Sequence, residues 1–191
     1  MTTIISPEQF VTVPWKNGKG VTTELAISEG GTLTDFDWRL SMASVVEDGP
    51  FSDFSGYWRN LVLIEGQGIS LQHDGDKTDH LHAILDVASF DGGCKTAGQL
   101  MSGSIIDFNI MTKDSTYSAE VSTYKDGQAV SLPKADLAFV YCLTGDGNVQ
   151  DNLVAEATVL PAGHLLQISP CADQSYVVSG QQMIVISLNK R

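Results

Sequence analysis

Runs of Val, Ile, Leu, Thr, Tyr and Phe recur along the chain, split by Gly, Asp, Asn and Pro about every 8–12 residues, the spacing of β-sandwiches and barrels. The apolar–polar alternation predicts strands over residues 38–46, 60–65, 69–72, 104–111, 117–124, 138–143, 165–168 and 183–188. Helical periodicity is scarce. Ser6-Pro7-Glu8 reads as an N-cap followed by Pro at the first helical position, which predicts one short turn over residues 6–10. The expected class is therefore all-β.

Alternation also sorts the side chains. Successive residues of a strand point to opposite faces. Arg39, Ser41 and Ala43 share one face, Asp107, Asn109 and Met111 another, and Arg59 lines up with Leu61, Leu63 and Glu65. Polar groups so regularly placed inside apolar runs suggest a cavity lined by two guanidiniums, an Asp, an Asn and a Ser. A guanidinium fork matches a carboxylate bidentately, so Arg39 or Arg59 can clamp a small acid. The alternative for each Arg is a surface position or a structural ion pair with Asp107 or Glu65. Asp107 is expected to orient an arginine rather than touch an anionic ligand.

A second polar stretch, Trp15-Lys16-Asn17-Gly18-Lys19-Gly20, is a turn by composition. Its glycines would let the backbone approach a ligand, or it is a plain hairpin turn. It lacks the spacing of a Walker loop or a dinucleotide fingerprint. Thr23 and Glu24 follow on a strand-like segment. The candidate binding residues are thus Trp15, Asn17, Thr23, Glu24, Arg39, Ser41, Arg59, Asp107 and Asn109. Gly49-Pro50 and Gly56 punctuate the segment that carries Phe51, Phe54 and Tyr57, an aromatic loop expected to pack, with a lid as the alternative.

An internal repeat shapes the domain reading. Leu63-Ile64-Glu65-Gly66-Gln67-Gly68 resembles Cys142-Leu143-Thr144-Gly145-Asp146-Gly147, an offset of 79 residues (66 to 145). A strand, a Gly-x-Gly turn, a strand and a Pro-x-Gly turn resemble the hairpins of a cupin barrel. The 191 residues suffice for two small fused β-modules, here residues 1–112 and 113–191, broken at the polar turn after Met111. The first holds the unusual residues; the second reads as a structural or dimerising half, compatible with a homodimer.

Charge and composition narrow the partners. The net charge is −12, from 11 basic and 23 acidic residues, which argues against nucleic acid and against anionic membranes. A local basic pocket for an anionic small ligand stays compatible with that balance. Hydrophobic residues make up 42%, yet no apolar run approaches a membrane span, and no basic-then-apolar leader opens the chain, so a cytoplasmic location is expected. Cys94, Cys142 and Cys171 form no CxxC pair and read as structural. His80-Leu81-His82, followed by Asp86, is the nearest approach to metal-ligand spacing; it reads as a solvated pair, His164 falls two positions early for a cupin set, and neither a metal nor another cofactor is expected.

The motifs taken in order are Trp15-Lys16-Asn17-Gly18-x-Gly-x-Thr22-Thr23-Glu24, Trp38-Arg39-x-Ser41-x-Ala43, Gly49-Pro50-Phe51-Ser52-x-Phe54-x-Gly56, Arg59, Glu65-Gly66 and Asp107-Phe108-Asn109-x-Met111. On these motifs the chain resembles the HutD/Ves family of bicupin proteins. The resemblance is specific over residues 13–112 and rests mainly on strand pattern beyond. It implies two cupin-like barrels of jelly-roll type without the usual metal-binding histidines, and an association with histidine utilisation. That pathway yields urocanate, formiminoglutamate and formylglutamate, all small carboxylates. The implied role is a non-enzymatic, regulatory carboxylate binder. The alternative is a cupin enzyme, an isomerase or a metal-dependent oxygenase, acting on a small polar substrate.

Overall fold

The computed structural model describes residues 1–15, 20–154, 156–173 and 175–191. Its strands are β1 (Thr2–Ile5), β2 (Val11–Pro14), β3 (Val21–Ile27), β4 (Trp38–Val45), β5 (Gly49–Pro50), β6 (Tyr57–Glu65), β7 (Ile69–His73) and β8 (Lys77–Leu81). They continue as β9 (Val87–Asp91), β10 (Thr96–Leu100), β11 (Ile105–Lys113), β12 (Tyr117–Ser131), β13 (Leu137–Asp151), β14 (Thr158–Leu160), β15 (Leu165–Ile168) and β16 (Tyr176–Lys190). The one helical element among the described residues is a 3-10 turn, Pro7–Gln9, closed by Gln9 N–H donating to the Ser6 carbonyl (2.9 Å). The protein is all-β, as the alternation predicts. No helix among the described residues is long and apolar enough to cross a membrane.

Two compact units form, residues 10–117 and residues 1–9 with 118–191. The break predicted after residue 112 falls inside β11, and the first strand joins the C-terminal unit. The reason is pairing: β1 runs antiparallel to β15, with Thr2 opposite Ile168 and Ile5 opposite Leu165.

In residues 10–117, two open sheets form, β2-β3-β4-β11-β6-β9 and β5-β10-β7-β8. Their shared apolar core takes Val45, Leu61, Leu63, Ala88, Phe90 and Ile105 from the six-stranded sheet and Ile69, Leu71 and Leu81 from the four-stranded one. In the other unit one sheet runs β1-β15-β13-β16-β12, with β14 added to β13. Its core alternates along the strands, with Val140 and Cys142 from β13, Leu166 and Ile168 from β15, and Met183 and Val185 from β16. Burial there pushes the Cys142 thiol up to about 11, so it is an inert core residue.

Every sheet among the described residues is open, and none closes on itself. The two Gly-x-Gly segments also differ. Gly66 and Gly68, at φ +98° and +125°, carry the chain from β6 in one sheet to β7 in the other. Gly145-Asp146-Gly147 lies within β13, where the pairing with β16 shifts register between Thr144 and Asn148. There the glycines make an irregularity in a continuous strand, because Gly147 packs against Cys142 Sγ and the Ser179 carbonyl with no room for a Cβ.

Candidate functional site

The polar residues singled out by alternation converge on the inner face of the six-stranded sheet. Register fixes this. Met111 of β11 stands opposite Arg39 of β4 on one side and Arg59 of β6 on the other; Asn109 stands opposite Ser41 and Leu61, and Asp107 opposite Ala43 and Leu63. Directly opposed residues share a face, and Leu61 and Leu63 belong to the core between the two sheets. One strand, β11, lies between the two arginines, so two strand spacings separate their Cα atoms, about 10 Å. Arg39, Ser41, Arg59, Asp107 and Asn109 are all buried, Asp107 completely.

Glu24 joins them by way of a bulge. It pairs with Ser41, but the register of β3 against β4 then shifts, so that Ala26 meets Leu40 and Ile27 meets Arg39. The extra residue lets Glu24 and Ile27 share the inner face although they lie three positions apart. Arg39 Nε donates to Glu24 Oε2 at 2.8 Å, a half-buried ion pair. Neither Asp107 nor Glu65 takes that place.

Arg59 is held differently. Its Nη2 donates to Asn109 Oδ1 (2.7 Å), which turns the Asn109 amide so that Nδ2 donates to Asp107 Oδ1 in a short contact. The guanidinium carbon lies 5.4 Å from the Phe51 ring centre, 5.7 Å from Phe54 and 5.3 Å from Phe90, an aromatic cage favourable to a cation. Arg59 Nε and Asp107 Oδ2 are buried without a hydrogen-bond partner. Burial pushes the Asp107 carboxyl up to about 7, against the pull of the Arg59 charge and the Asn109 amide. Burial likewise lowers the Arg59 guanidinium, and Asp107 opposes the shift. The cluster combines a forked cation with a carboxyl group that titrates near neutral pH, a combination suited to binding an acid or moving a proton.

The remaining candidates separate. Trp15 packs against the inner core, and its Nε1 donates to Thr22 Oγ1 (2.8 Å). Thr23 points to the opposite face, where its hydroxyl meets that of Thr12 (2.9 Å), so Thr22 rather than Thr23 borders the interior. Asn17 lies outside the described residues. The aromatic loop packs as expected: Phe54, Tyr57 and Phe36 cluster with centroids 4.5–6.2 Å apart. Its role as part of the Arg59 cage was not read from the sequence, nor was Phe90, though Ala88 and Phe90 alternate with Ser89 and Asp91. His73 was also missed. It is buried beneath the Phe90 ring (4.5 Å) and contacts Thr96 Oγ1 (2.9 Å) and Asp79 Oδ2 (3.2 Å); its place after Ile69 and Leu71 in alternation was the available signal.

Among the described residues no group of three His, Cys, Asp or Glu side chains is placed to hold a metal. His80 instead meets Ser70 Oγ (2.9 Å) and stacks on His82 at 5.6 Å.

Comparison with known proteins agrees with the motifs. The HutD family model matches residues 7–186. A Pseudomonas putida relative described as an uncharacterized 21.2 kDa protein in the hutC 3' region is 34% identical over 138 residues, 72% of each chain. Protein Ves of Escherichia fergusonii is 37% identical over 108 residues, 56% of each chain. The solved structure of HutD from Pseudomonas fluorescens SBW25 superposes with a TM-score of 0.84 at 28% identity, covering 100% of both chains. In fold alone the likeness extends to cupin-like structures such as the Escherichia coli pirin in complex with nickel(II), with a TM-score of 0.66 at 8% identity, covering 100% of this chain and 99% of that one. The chain belongs to the HutD family.

Proposed function

We propose that this protein binds a small carboxylate on the inner face of the six-stranded sheet and serves a regulatory role in histidine utilisation. The observation that carries the reading is the pair of buried arginines flanking Met111, one of them with an unpartnered Nε. A buried guanidinium that the protein leaves incompletely bonded is costly unless a ligand completes it. The relative encoded in the hutC 3' region supports the pathway, and urocanate, formiminoglutamate and formylglutamate are the candidate ligands. The fold is proposed as a bicupin, one cupin-like module per compact unit, supported by cupin-like neighbours that span the whole chain.

Titration calorimetry with the three acids tests the reading. At least one should bind, and Arg39→Ala or Arg59→Ala should weaken it by about 2–5 kcal/mol, the usual cost of truncating a buried charged partner. Wild-type affinity in both variants would refute it. A second reading, turnover of the bound acid, is favoured by Asp107, whose carboxyl titrates near 7 within the cluster. Prolonged incubation followed by mass spectrometry of the acid would reveal a product, and Asp107→Asn should abolish its formation.

A further inference from the structure

The four-stranded sheet of residues 10–117 carries a second array of polar side chains, on the face turned away from the core. In β7, Ile69 and Leu71 belong to the core, so Ser70 and Gln72 point outward. Register extends that face to the neighbouring strands. Ser70 stands opposite His80 of β8 and Gln99 of β10, and Gln72 stands opposite Thr78 and Ala97. Two rows of three side chains result, with columns about 4.8 Å apart across the strands and rows about 7 Å apart along them. Five of the six are polar. The sixth, Ala97, is short, so the array dips at that corner. A groove of about 350 Å³ opens over these residues, and Asp48 also lines it. That volume suits a small molecule.

Three of the polar groups are held in place. His80 Nδ1 and Ser70 Oγ lie 2.9 Å apart, Asp48 Oδ1 accepts from the Leu100 N–H (2.8 Å), and Gln72 Nε2 donates to the Gly75 carbonyl (3.4 Å). Each bond uses one polar atom of the side chain and leaves the other, His80 Nε2, Asp48 Oδ2 or Gln72 Oε1, open to a ligand. Side chains fixed in this way on strands lose little freedom when something binds. The lining also selects a chemistry. None of the described lining residues is Lys or Arg, and Asp48 is an acid, so an anion meets repulsion and no counter-charge. Amide, hydroxyl and imidazole groups both donate and accept, as sugar hydroxyls do. Asp48 Oδ2 adds an ionised acceptor for one hydroxyl. We propose that this groove is a second binding site and that it takes a neutral sugar. The site is separate from the buried arginines and does not depend on the carboxylate reading.

Saturation-transfer NMR on the whole chain tests this, with the methyl pyranosides of D-glucose, D-galactose and D-mannose at millimolar concentration. Each is run beside its uronate and its 2-amino counterpart. At least one neutral glycoside should bind. Its uronate should bind about fivefold more weakly or worse, through repulsion from Asp48, and its amino counterpart should gain nothing. His80→Ala should weaken the neutral glycoside about fivefold, the value of one hydrogen bond. Ala97→Ile should abolish the signal by filling the dip. Isoleucine suits an exposed strand position, so this variant keeps the fold. Three results would overturn the proposal: no transfer to any neutral glycoside, undiminished binding in both variants, or a uronate or amino sugar bound as tightly as the neutral one or more so.

Discussion

The two compact units build their interiors from opposite materials. In residues 118–191 with 1–9, the core strands contribute Val140, Cys142, Leu166, Ile168, Met183 and Val185, and the one buried polar side chain among the described residues is Ser187. In residues 10–117, the three central strands of the larger sheet turn Arg39, Ser41, Arg59, Asp107 and Asn109 inward beside Leu61 and Leu63. Removing charges from water costs several kcal/mol each, and even a well-bonded buried network is often no more stable than apolar residues of equal volume. A chain able to build one dry core had no folding reason to make the other wet. On the proposed function, residues 10–117 are the half in which stability is given up for binding.

The largest effect should come from breaking the polar interior at one point. Arg59→Ala removes the donor that fixes Asn109 and the cation that offsets the buried Asp107. Urea denaturation should show a loss of about 3–5 kcal/mol, as for other buried pairs that lose one partner. The combined variant Arg59→Met, Asp107→Leu, Asn109→Leu should instead match or exceed the wild type in stability while losing ligand. If the triple variant is as unstable as the single one, the polar cluster is structural and the contrast between the units loses its functional meaning.

The pH dependence should be of nearly the same size. In the unfolded chain Asp107 releases its proton near its ordinary value of 3.8, whereas in the fold burial holds the proton to about 7. Between those values the folded state binds more protons than the unfolded one, so stability falls as pH rises through this window. The contribution of Asp107 is complete below the window and lost above it. At about 1.4 kcal/mol per pH unit the change reaches at most about 4 kcal/mol. Asp107→Asn, which does not titrate, should gain on the wild type steadily from pH 4 to pH 7 in thermal melts. A constant difference would mean that Asp107 is ionised at its ordinary pKa.

The dry core offers the reciprocal test. Leu166 is fully buried and paired with Val140. Leu166→Ala should cost about 3 kcal/mol through lost transfer energy and the cavity left behind. Ligand affinity, measured where the variant is still folded, should remain at the wild-type level. A parallel loss of affinity would show that the site depends on both halves.

How much of this was legible in the sequence follows from which features are local. Strand alternation is a two-residue rule, so it put Arg39 with Ser41, and Asp107 with Asn109, on common faces before any fold was known. It carried no information about which strands adjoin. That Arg39 pairs with Glu24, that both arginines flank Met111, and that β1 joins β15 all depend on pairing between distant segments. The second Gly-x-Gly read as a chain reversal because glycine composition cannot distinguish a turn from an irregularity within a long strand. Phe90 and His73 were hidden for a related reason: the residues beside the Arg59 cage come from strands whose order only the sheets define.

The smallest effect sharpens the boundary between interior and surface. Thr22 and Thr23 are adjacent and chemically identical, and only the register of β3 assigns them to faces. Thr22 Oγ1 accepts from the indole of Trp15, which packs on the inner core. Thr23 shares a hydroxyl contact with Thr12 on the opposite, more exposed side. Valine preserves the branched shape and the strand preference of threonine, so each substitution removes little besides the hydroxyl. Thr22→Val leaves a half-buried indole N–H without its acceptor and should cost about 1 kcal/mol, with a change in Trp15 fluorescence. Thr23→Val breaks a bond that water replaces and should stay within about 0.5 kcal/mol of the wild type. In ligand titrations Thr22→Val should shift affinity through the displaced Trp15, whereas Thr23→Val should not. A larger effect from Thr23 would mean that β3 pairs one residue out of the observed register, which would also turn Glu24 away from Arg39.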